Sequence, residues 1–397
     1  MKQNKIIEDN DKYLAQTYSQ IPIILDGGKG VMVCDVDGNE YLDFTAGIAV
    51  NILGYGDEGY IKAIEDVLKK GMVHCSNIYY NQGELDVAKK LCNISEMDQA
   101  FFCNSGAEAN ESALKLARKY GKYSGERTHV ISMKDSFHGR TFGSLSTTGQ
   151  EKYQKNFFPL LSNVSFAAFN NIESVIALIN DETCAIIVEP LQGEGGIIPA
   201  KKEFLVALRE LCDKHDLILI FDEVQCGMGR CGTPLLYQSY GVIPDVVTLA
   251  KALAGGMPCG AMLTTGKANS VLLKGDHAST FGGNLVAMAA SSYILDRLDE
   301  DFLLHVKEVG EHLYKKLAAL KNKYPTLVVD VRGKGLMVGM QLSVAPSIVV
   351  KKCFEKNLLI IGAGADVLRF VPPLIITKDE IDKGISIIDG IFEELSK

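Results

Sequence analysis

The chain has 397 residues, 47% hydrophobic and 23% charged, which excludes a disordered or low-complexity polymer and suggests two to three domains. Lys and Arg number 41 against 49 Asp and Glu, a net charge of -8 with no basic run, so a nucleic-acid surface is not expected. No apolar stretch approaches the ~18 residues of a membrane-spanning helix. The polar start Met1-Lys2-Gln3-Asn4-Lys5 has no secretory core, so no secretory signal and no membrane partner are expected, and the cysteines, read as reduced, point to a cytoplasmic home.

In chain order, residues 31–44 read as a hairpin, Val31-Met32-Val33-Cys34-Asp35 turning at Asp37-Gly38-Asn39 into 40–44. From about residue 100 to 265, short apolar runs alternate with helical patterns. The spacing predicts strands over 99–103, 129–133, 164–168, 184–188, 217–221 and 246–249. After Ser105-Gly106, the positions Ala113, Leu116, Ala117 and Tyr120 form one helical face with Gly121 as its expected stop. Over 203–215, Phe204, Leu208, Leu211 and Cys212 do the same. Beyond residue 284 come long helices, strands near 327–331 and 336–342, and a last helix opened by the capping box Thr377-Lys378-Asp379-Glu380, with Ile381, Ile385, Ile388 and Phe392 on one face. Apolar strands alternating with amphipathic helices predict an α/β fold with a mainly parallel sheet covered by helices. A large domain is expected over 56–284, and a smaller α+β domain built from 1–55 and 285–397.

The ten cysteines contain no C-x-x-C pair, and several sit in apolar runs such as Ala100-Phe101-Phe102-Cys103. They read as reduced small hydrophobes. Cys226 and Cys231, the closest pair, have no neighbouring His, so no metal site is expected. Gly227-Met228-Gly229-Arg230-Cys231-Gly232 is a literal G-x-G-x-x-G, but Thr233-Pro234 follows where a dinucleotide site needs a helix. The two acids of Asp222-Glu223-Val224-Gln225 would also repel a pyrophosphate. The glycines are expected to shape a loop, and a nicotinamide enzyme is disfavoured.

Three features make more sense together than apart. Asn104-Ser105-Gly106-Ala107-Glu108-Ala109-Asn110 follows a strand and opens a helix, where backbone N–H groups, with Ser105 as an extra donor, can seat a phosphate. The strand 217–221 delivers Asp222 to its carboxyl end, where ligands of open α/β sheets bind. The strand 246–249 delivers Lys251 among small residues, where desolvation lowers an amine pKa and favours attack on an aldehyde. Phosphate seat, acid for a pyridine nitrogen and lysine for an aldehyde together suggest pyridoxal 5'-phosphate.

With these residues in place, the chain resembles the acetylornithine and ornithine aminotransferase group of class III, fold-type-I pyridoxal-phosphate enzymes, from about residue 21 to 392. The resemblance runs through Ser105-Gly106-Ala107-Glu108-Ala109-Asn110, Phe137-His138-Gly139-Arg140-Thr141, Glu189-Pro190-Leu191-Gln192-Gly193-Glu194-Gly195-Gly196 and Asp222-Glu223-Val224-Gln225. It continues through Ala250-Lys251-Ala252-Leu253, Ser279-Thr280-Phe281-Gly282-Gly283-Asn284 and Arg332-Gly333-Lys334-Gly335-Leu336. It implies Lys251 as the cofactor-holding and proton-moving lysine, Asp222 as the partner of the pyridine nitrogen, and Phe137 and Val224 on the two ring faces. Gln225 would reach the ring hydroxyl, with Glu223 also in the cofactor-binding set. Ser105, Gly106 and Ala107 would bind phosphate, and Thr280 would reach it from the partner of a homodimer. Arg140 and Arg369 resemble two carboxylate-binding arginines, Glu194 a gating carboxylate, and Ser279 a polar contact to the donor.

The implied activity moves the terminal amine of N2-acetyl-L-ornithine to 2-oxoglutarate, giving N-acetyl-L-glutamate 5-semialdehyde and L-glutamate, a step of arginine biosynthesis. Ornithine, succinylornithine and 4-aminobutyrate are alternative donors. A decarboxylase or racemase on the same cofactor and a non-catalytic relative are the other classes. The chain departs from the family pattern at Cys226 and Cys231, at Ala278 before the Ser-Thr pair, at Leu285, and at Leu53-Gly54-Tyr55-Gly56-Asp57, which lacks a His-Pro.

Overall fold

A computed structural model describes residues 2–123 and 125–397. In chain order its strands are β1 (Leu25–Lys29), β2 (Met32–Asp35), β3 (Glu40–Asp43), β4 (Gln99–Cys103), β5 (His129–Met133), β6 (Val164–Ala167), β7 (Thr183–Val188), β8 (Leu191–Gln192) and β9 (Ile198–Pro199). They continue with β10 (Ile218–Asp222), β11 (Val246–Leu249), β12 (Gly260–Thr264), β13 (Val328–Lys334), β14 (Met337–Leu342), β15 (Leu358–Leu359), β16 (Ile361–Ala363) and β17 (Val367–Phe370).

Seven of them form the central sheet in the order β4-β12-β11-β10-β7-β5-β6. Every residue of β5, β7, β10, β11 and β12 is buried, because helices cover both faces. The two-residue period of a strand sorts the side chains. Ile218 and Ile220 pack with Ala113, Leu116 and Ala117 of the helix Gly106–Tyr123. Leu219 and Phe221 belong instead to the cluster holding Phe204, Leu208 and Cys212 of the helix Lys202–Lys214.

The predicted elements are found, with corrections. β12 was not expected, and it lies antiparallel between β11 and β4 in an otherwise parallel sheet. Its sequence Gly260-Ala261-Met262-Leu263-Thr264 carries small residues that blunt the strand signal. The third strand ends at Ala167, the fourth starts at Thr183, and the fifth spans Ile218–Asp222, so Asp222 is its last residue. Gly121 does not stop its helix, which runs to Tyr123. A Cβ there would fall 2.3 Å from the Arg127 carbonyl and 2.6 Å from Cys184 Cβ, so close packing selects the glycine. The G-x-G-x-x-G run forms turns and no helix.

The predicted hairpin β2–β3 gains β1 on one side and β15, parallel to β3, on the other, so the two ends of the chain share one sheet. A third sheet has the order β13-β14-β17-β16 and is antiparallel throughout. The Thr377–Glu380 capping box forms, opening the helix Lys378–Leu395. All ten cysteines are free. Among the described residues no helix is long and apolar enough to cross a membrane.

One segment is strained. Ala46, Gly47, Ile48 and Ala49 have φ of 46, 61, 65 and 63°, a left-handed turn in which Ile48 is a β-branched residue. Asp43, 1% exposed, clamps it. Its Oδ1 accepts from the Thr45 amide (2.7 Å) and hydroxyl (2.6 Å), and its Oδ2 from the Ala46 amide (3.0 Å) and Tyr55 hydroxyl (2.7 Å).

Candidate active site

A cavity of about 440 Å³ opens at the carboxyl ends of the parallel strands, lined by residues from 104–107, 137–140 and 222–225, by Lys251, and by Val50, which follows the strained turn.

Asp222 is held from three directions. Its Oδ1 accepts the Val224 amide at 3.0 Å, while Oδ2 accepts Asn110 Nδ2 at 2.8 Å and His138 Nδ1 at 2.7 Å. Asn110 is itself fixed, accepting from Thr248 Oγ1 (2.8 Å) and donating to the His138 carbonyl (2.8 Å). A carboxylate only accepts, so the proton of His138 lies on Nδ1, and buried Nε2 has no partner. Lys251 follows β11 at the start of a short 3-10 turn, in a left-handed conformation with φ 46°. Desolvation pushes its amine below the ordinary lysine range, opposed by the nearby charges of Glu194 and Asp222. A strained backbone at a lysine between two buried segments is a feature of a functional position.

At the start of the helix Gly106–Tyr123, Ser105 Oγ accepts the Glu108 amide at 3.1 Å, and Glu108 turns back to the Asn104 amide at 2.5 Å. Gly106 and Ala107 line the cavity, and as members of the helix's first turn their amides have no partner within the helix. A Cβ on Gly106 would fall 2.8 Å from Val224 Cγ1, so only glycine lets the helix start approach the 222–225 loop. The set fits pyridoxal phosphate: unpaired helix-start amides for an anion, a fixed carboxylate and a desolvated amine around one cavity.

Phe137 and Val224 line the same cavity. The Phe137 amide donates to Glu189 Oε1 (2.9 Å), and Oε2 of that buried carboxylate takes the Gly193 amide (3.0 Å). Burial pushes the Glu189 carboxyl up, with His138 opposing. Arg140 is exposed, and its guanidinium stacks 3.9 Å from the Tyr153 ring centroid and 5.6 Å from that of Phe137. Arg369, on β17 and 3% exposed, pairs with Glu194 and donates to Gln225 Oε1 (3.2 Å) and the Gly362 carbonyl (3.3 Å). Burial raises the Glu194 carboxyl, but the charge and hydrogen bond of Arg369, together with the Lys251 charge and the Gln225 hydrogen bond, hold the group below the usual range.

Of the expected residues, the structure brings Ser105, Gly106, Ala107, Phe137, Arg140, Glu194, Asp222, Val224, Gln225 and Lys251 to the cavity, with Arg369 behind Glu194. Gln225 does so with its amide engaged by Arg369 and Glu194. Three residues lie elsewhere. Glu223, fully buried, turns away to accept the Leu236 and Tyr237 amides at 2.6 Å each. Thr280 is exposed outside the cavity, and Ser279, also outside its lining, accepts from Asn104 Nδ2 at 3.1 Å. Sequence reasoning missed Asn110, Glu189 and Tyr153. The first two stand inside motifs already singled out and are polar residues in buried surroundings. Tyr153 lies 13 positions beyond Arg140 with no pattern linking them.

These features define a fold-type-I enzyme site built for a pyridoxal-type cofactor. The class-III aminotransferase family model matches residues 13–392, and the chain belongs to that family. The chain is 47% identical over 389 residues to the acetylornithine aminotransferase of Clostridium acetobutylicum, covering 97% of this chain and 99% of that one. Among solved structures, the N-acetylornithine aminotransferase of Stenotrophomonas maltophilia is 34% identical with a TM-score of 0.83, covering 98% and 99% of the two chains. An ornithine aminotransferase from Toxoplasma gondii, described with partial occupancy of PLP at its active site, is 30% identical with a TM-score of 0.93, covering 99% and 96%.

Proposed function

We infer that this chain is a pyridoxal-phosphate-dependent aminotransferase taking the terminal amine of N2-acetyl-L-ornithine to 2-oxoglutarate, in arginine biosynthesis. The observation that carries the reading is the Glu194–Arg369 pair beside Lys251, since transamination must seat two different substrates in one cavity. When bound, pyridoxal phosphate supplies the aldehyde and electron-withdrawing ring that receive the amino group from one substrate and pass it to the next.

The chain's own residues do the rest. Gly106 and Ala107 offer amides to the phosphate, and Asp222, oriented by Asn110 and His138, puts a negative charge against the pyridine nitrogen. Lys251 Nζ, whose protonation desolvation disfavours, takes a proton from the donor's terminal carbon in one half-reaction and delivers one to the α-carbon of glutamate in the other. Arg140 meets the carboxylate remote from the reacting carbon. Arg369 takes the α-carboxylate of glutamate or 2-oxoglutarate as a bidentate fork, and Glu194 occupies it when the ω-amine donor, which has no carboxylate there, is bound.

A homodimer is part of the reading. Ile78, Tyr79, Tyr80 and Phe281 are 85, 70, 107 and 62% exposed, an apolar surface beside Ser279 and Thr280 of the kind that association buries. Thr280, exposed outside its own cavity, would serve a partner's. A cytoplasmic location is consistent with ten free thiols.

The test is spectroscopic. The visible band of the holoenzyme should vanish on adding N-acetylornithine and return with 2-oxoglutarate, with ornithine, succinylornithine and 4-aminobutyrate slower in a donor panel. A band that does not respond to any ω-amine would contradict the assignment.

A further inference from the structure

The gate carboxylate stands on the loop between β8 and β9, Gly193-Glu194-Gly195-Gly196-Ile197, three of whose five residues are glycines. Such a loop is intrinsically loose, yet the pairing of Glu194 with Arg369 demands a defined backbone. The β13-β14-β17 sheet supplies one. Arg332 on β13 stands opposite Gly339 on β14, and Gly339 opposite Arg369 on β17, so the three form one row across the sheet. Side chains directly opposite each other share a face. The two arginines therefore flank a groove floored by Gly339, and Ile197 fills it, for a Cβ on Gly339 would lie 2.8 Å from Ile197 Cβ.

The two arginines treat the loop differently. Arg369 takes the Glu194 carboxylate, the group that must leave when an α-carboxylate arrives. Arg332 takes backbone, Nε donating to the Gly196 carbonyl at 3.0 Å. Arg332 is itself braced, with Nη1 donating to Gln341 Oε1 (2.9 Å) and Asp330 Oδ2 (3.3 Å) and Gln341 donating on to Asp366 Oδ2 (2.7 Å). The Glu194 carbonyl accepts the Gly364 amide at 3.0 Å, and the Gly193 amide is held by Glu189. A cleft of about 690 Å³ lies behind the loop, lined by Gly195, Gly364, Asp366 and Asp135, so solvent space alone does not keep it in place.

We propose that Arg332 is a positioning residue of the gate: it pins the glycine-rich loop so that Glu194 exchanges with an incoming α-carboxylate by side-chain rotation over a fixed backbone. The proposal rests on the reading of Glu194 as gate. Without the pin, the loop relaxes toward the cleft, Glu194 competes less well for Arg369, and the cavity loses discrimination in favour of the α-carboxylate substrate.

Single-turnover rates for N-acetylornithine and for glutamate, measured on the holoenzyme, test this. Arg332→Gln should shift the ratio of the two toward glutamate by about three- to tenfold, the net value of one ordinary hydrogen bond. Arg332→Lys, which keeps a donor, should fall between. Gly339→Ala, which leaves Arg332 intact but pushes Ile197 out of its groove, should shift the ratio in the same direction. The Glu194→Ala variant should shift it further, and adding Arg332→Gln to that variant should change the ratio no more. If Glu194→Ala moves the ratio and neither Arg332→Gln nor Gly339→Ala does, Arg332 is scaffold and the proposal is overturned with the gate intact. If Glu194→Ala does not move it, the gate reading fails and the pin with it.

Discussion

Asp222 and Lys251 come from two neighbouring, wholly buried strands of one sheet, with Asp222 opposite Thr248 only three residues before Lys251. Glu194 and Arg369 meet across a glycine-rich loop and a strand of a separate sheet. The first pair is fixed by packing on both faces and by side chains that have nowhere else to go. The second is fixed by a few polar contacts, which on the proposed function one substrate breaks and the other leaves alone. The floor of the cavity is thus built for constancy and the mouth for exchange, which is what one cofactor and two alternating substrates require.

Substitutions should separate the two regions. The largest effect belongs to the floor. Asp222→Asn keeps the shape, but its amide nitrogen cannot accept where a carboxylate oxygen did, and it removes the charge proposed to face the pyridine nitrogen, so turnover should fall about a hundredfold or more while cofactor absorbance is retained. Near-normal turnover would make the acid structural. At the mouth, Arg369→Lys keeps a charge and loses the fork, so KM for 2-oxoglutarate should rise about tenfold with the N-acetylornithine half-reaction changed little. An equal loss in both half-reactions would erase the distinction between floor and mouth.

Smaller effects come from the supports. Ile48→Gly relieves a β-branched residue at φ 65° and sacrifices little burial at 43% exposure, so stability should rise by up to about 1 kcal/mol in thermal unfolding. Burial pushes the Glu223 carboxyl up to about 8 from an ordinary 4.5, against two backbone donors. Between those values the folded state binds a proton that the unfolded state has released, so this group's contribution to stability is complete below 4.5 and is lost as pH rises through 8. Glu223→Gln should therefore gain on the wild type in denaturant unfolding as pH rises across that window. A difference independent of pH would contradict the assignment.

The same contrast explains what was legible in the sequence. The floor was readable because apolar runs of four to six residues ending in Asp222 or preceding Lys251 are too short for helices and read as covered strands, and strand ends locate ligands. β12 escaped because Gly260 and Ala261 weaken the pattern and its direction depends on a neighbour, β4, more than 150 positions away. Arg140, Glu194 and Arg369 were identifiable through family resemblance, yet nothing local links positions 194 and 369. The turn at Ala46–Ala49 carried no signal at all, since a run of positive φ at Ala and Ile runs against every local preference and is held by Asp43 from outside it and by the burial of Ala46 and Ala49. Glu223 shows the converse: it shares a motif with Asp222 and Gln225, but as Asp222's immediate neighbour it turns away from the cavity.

The central claim is that one lysine, desolvated at the end of β11, holds the cofactor and moves the proton. Borohydride reduction of the holoenzyme followed by proteolysis and peptide mapping tests it most directly. The account predicts a pyridoxyl group on the peptide containing Lys251 and on no other lysine. Labelling elsewhere, with Lys251 unmodified, would contradict it.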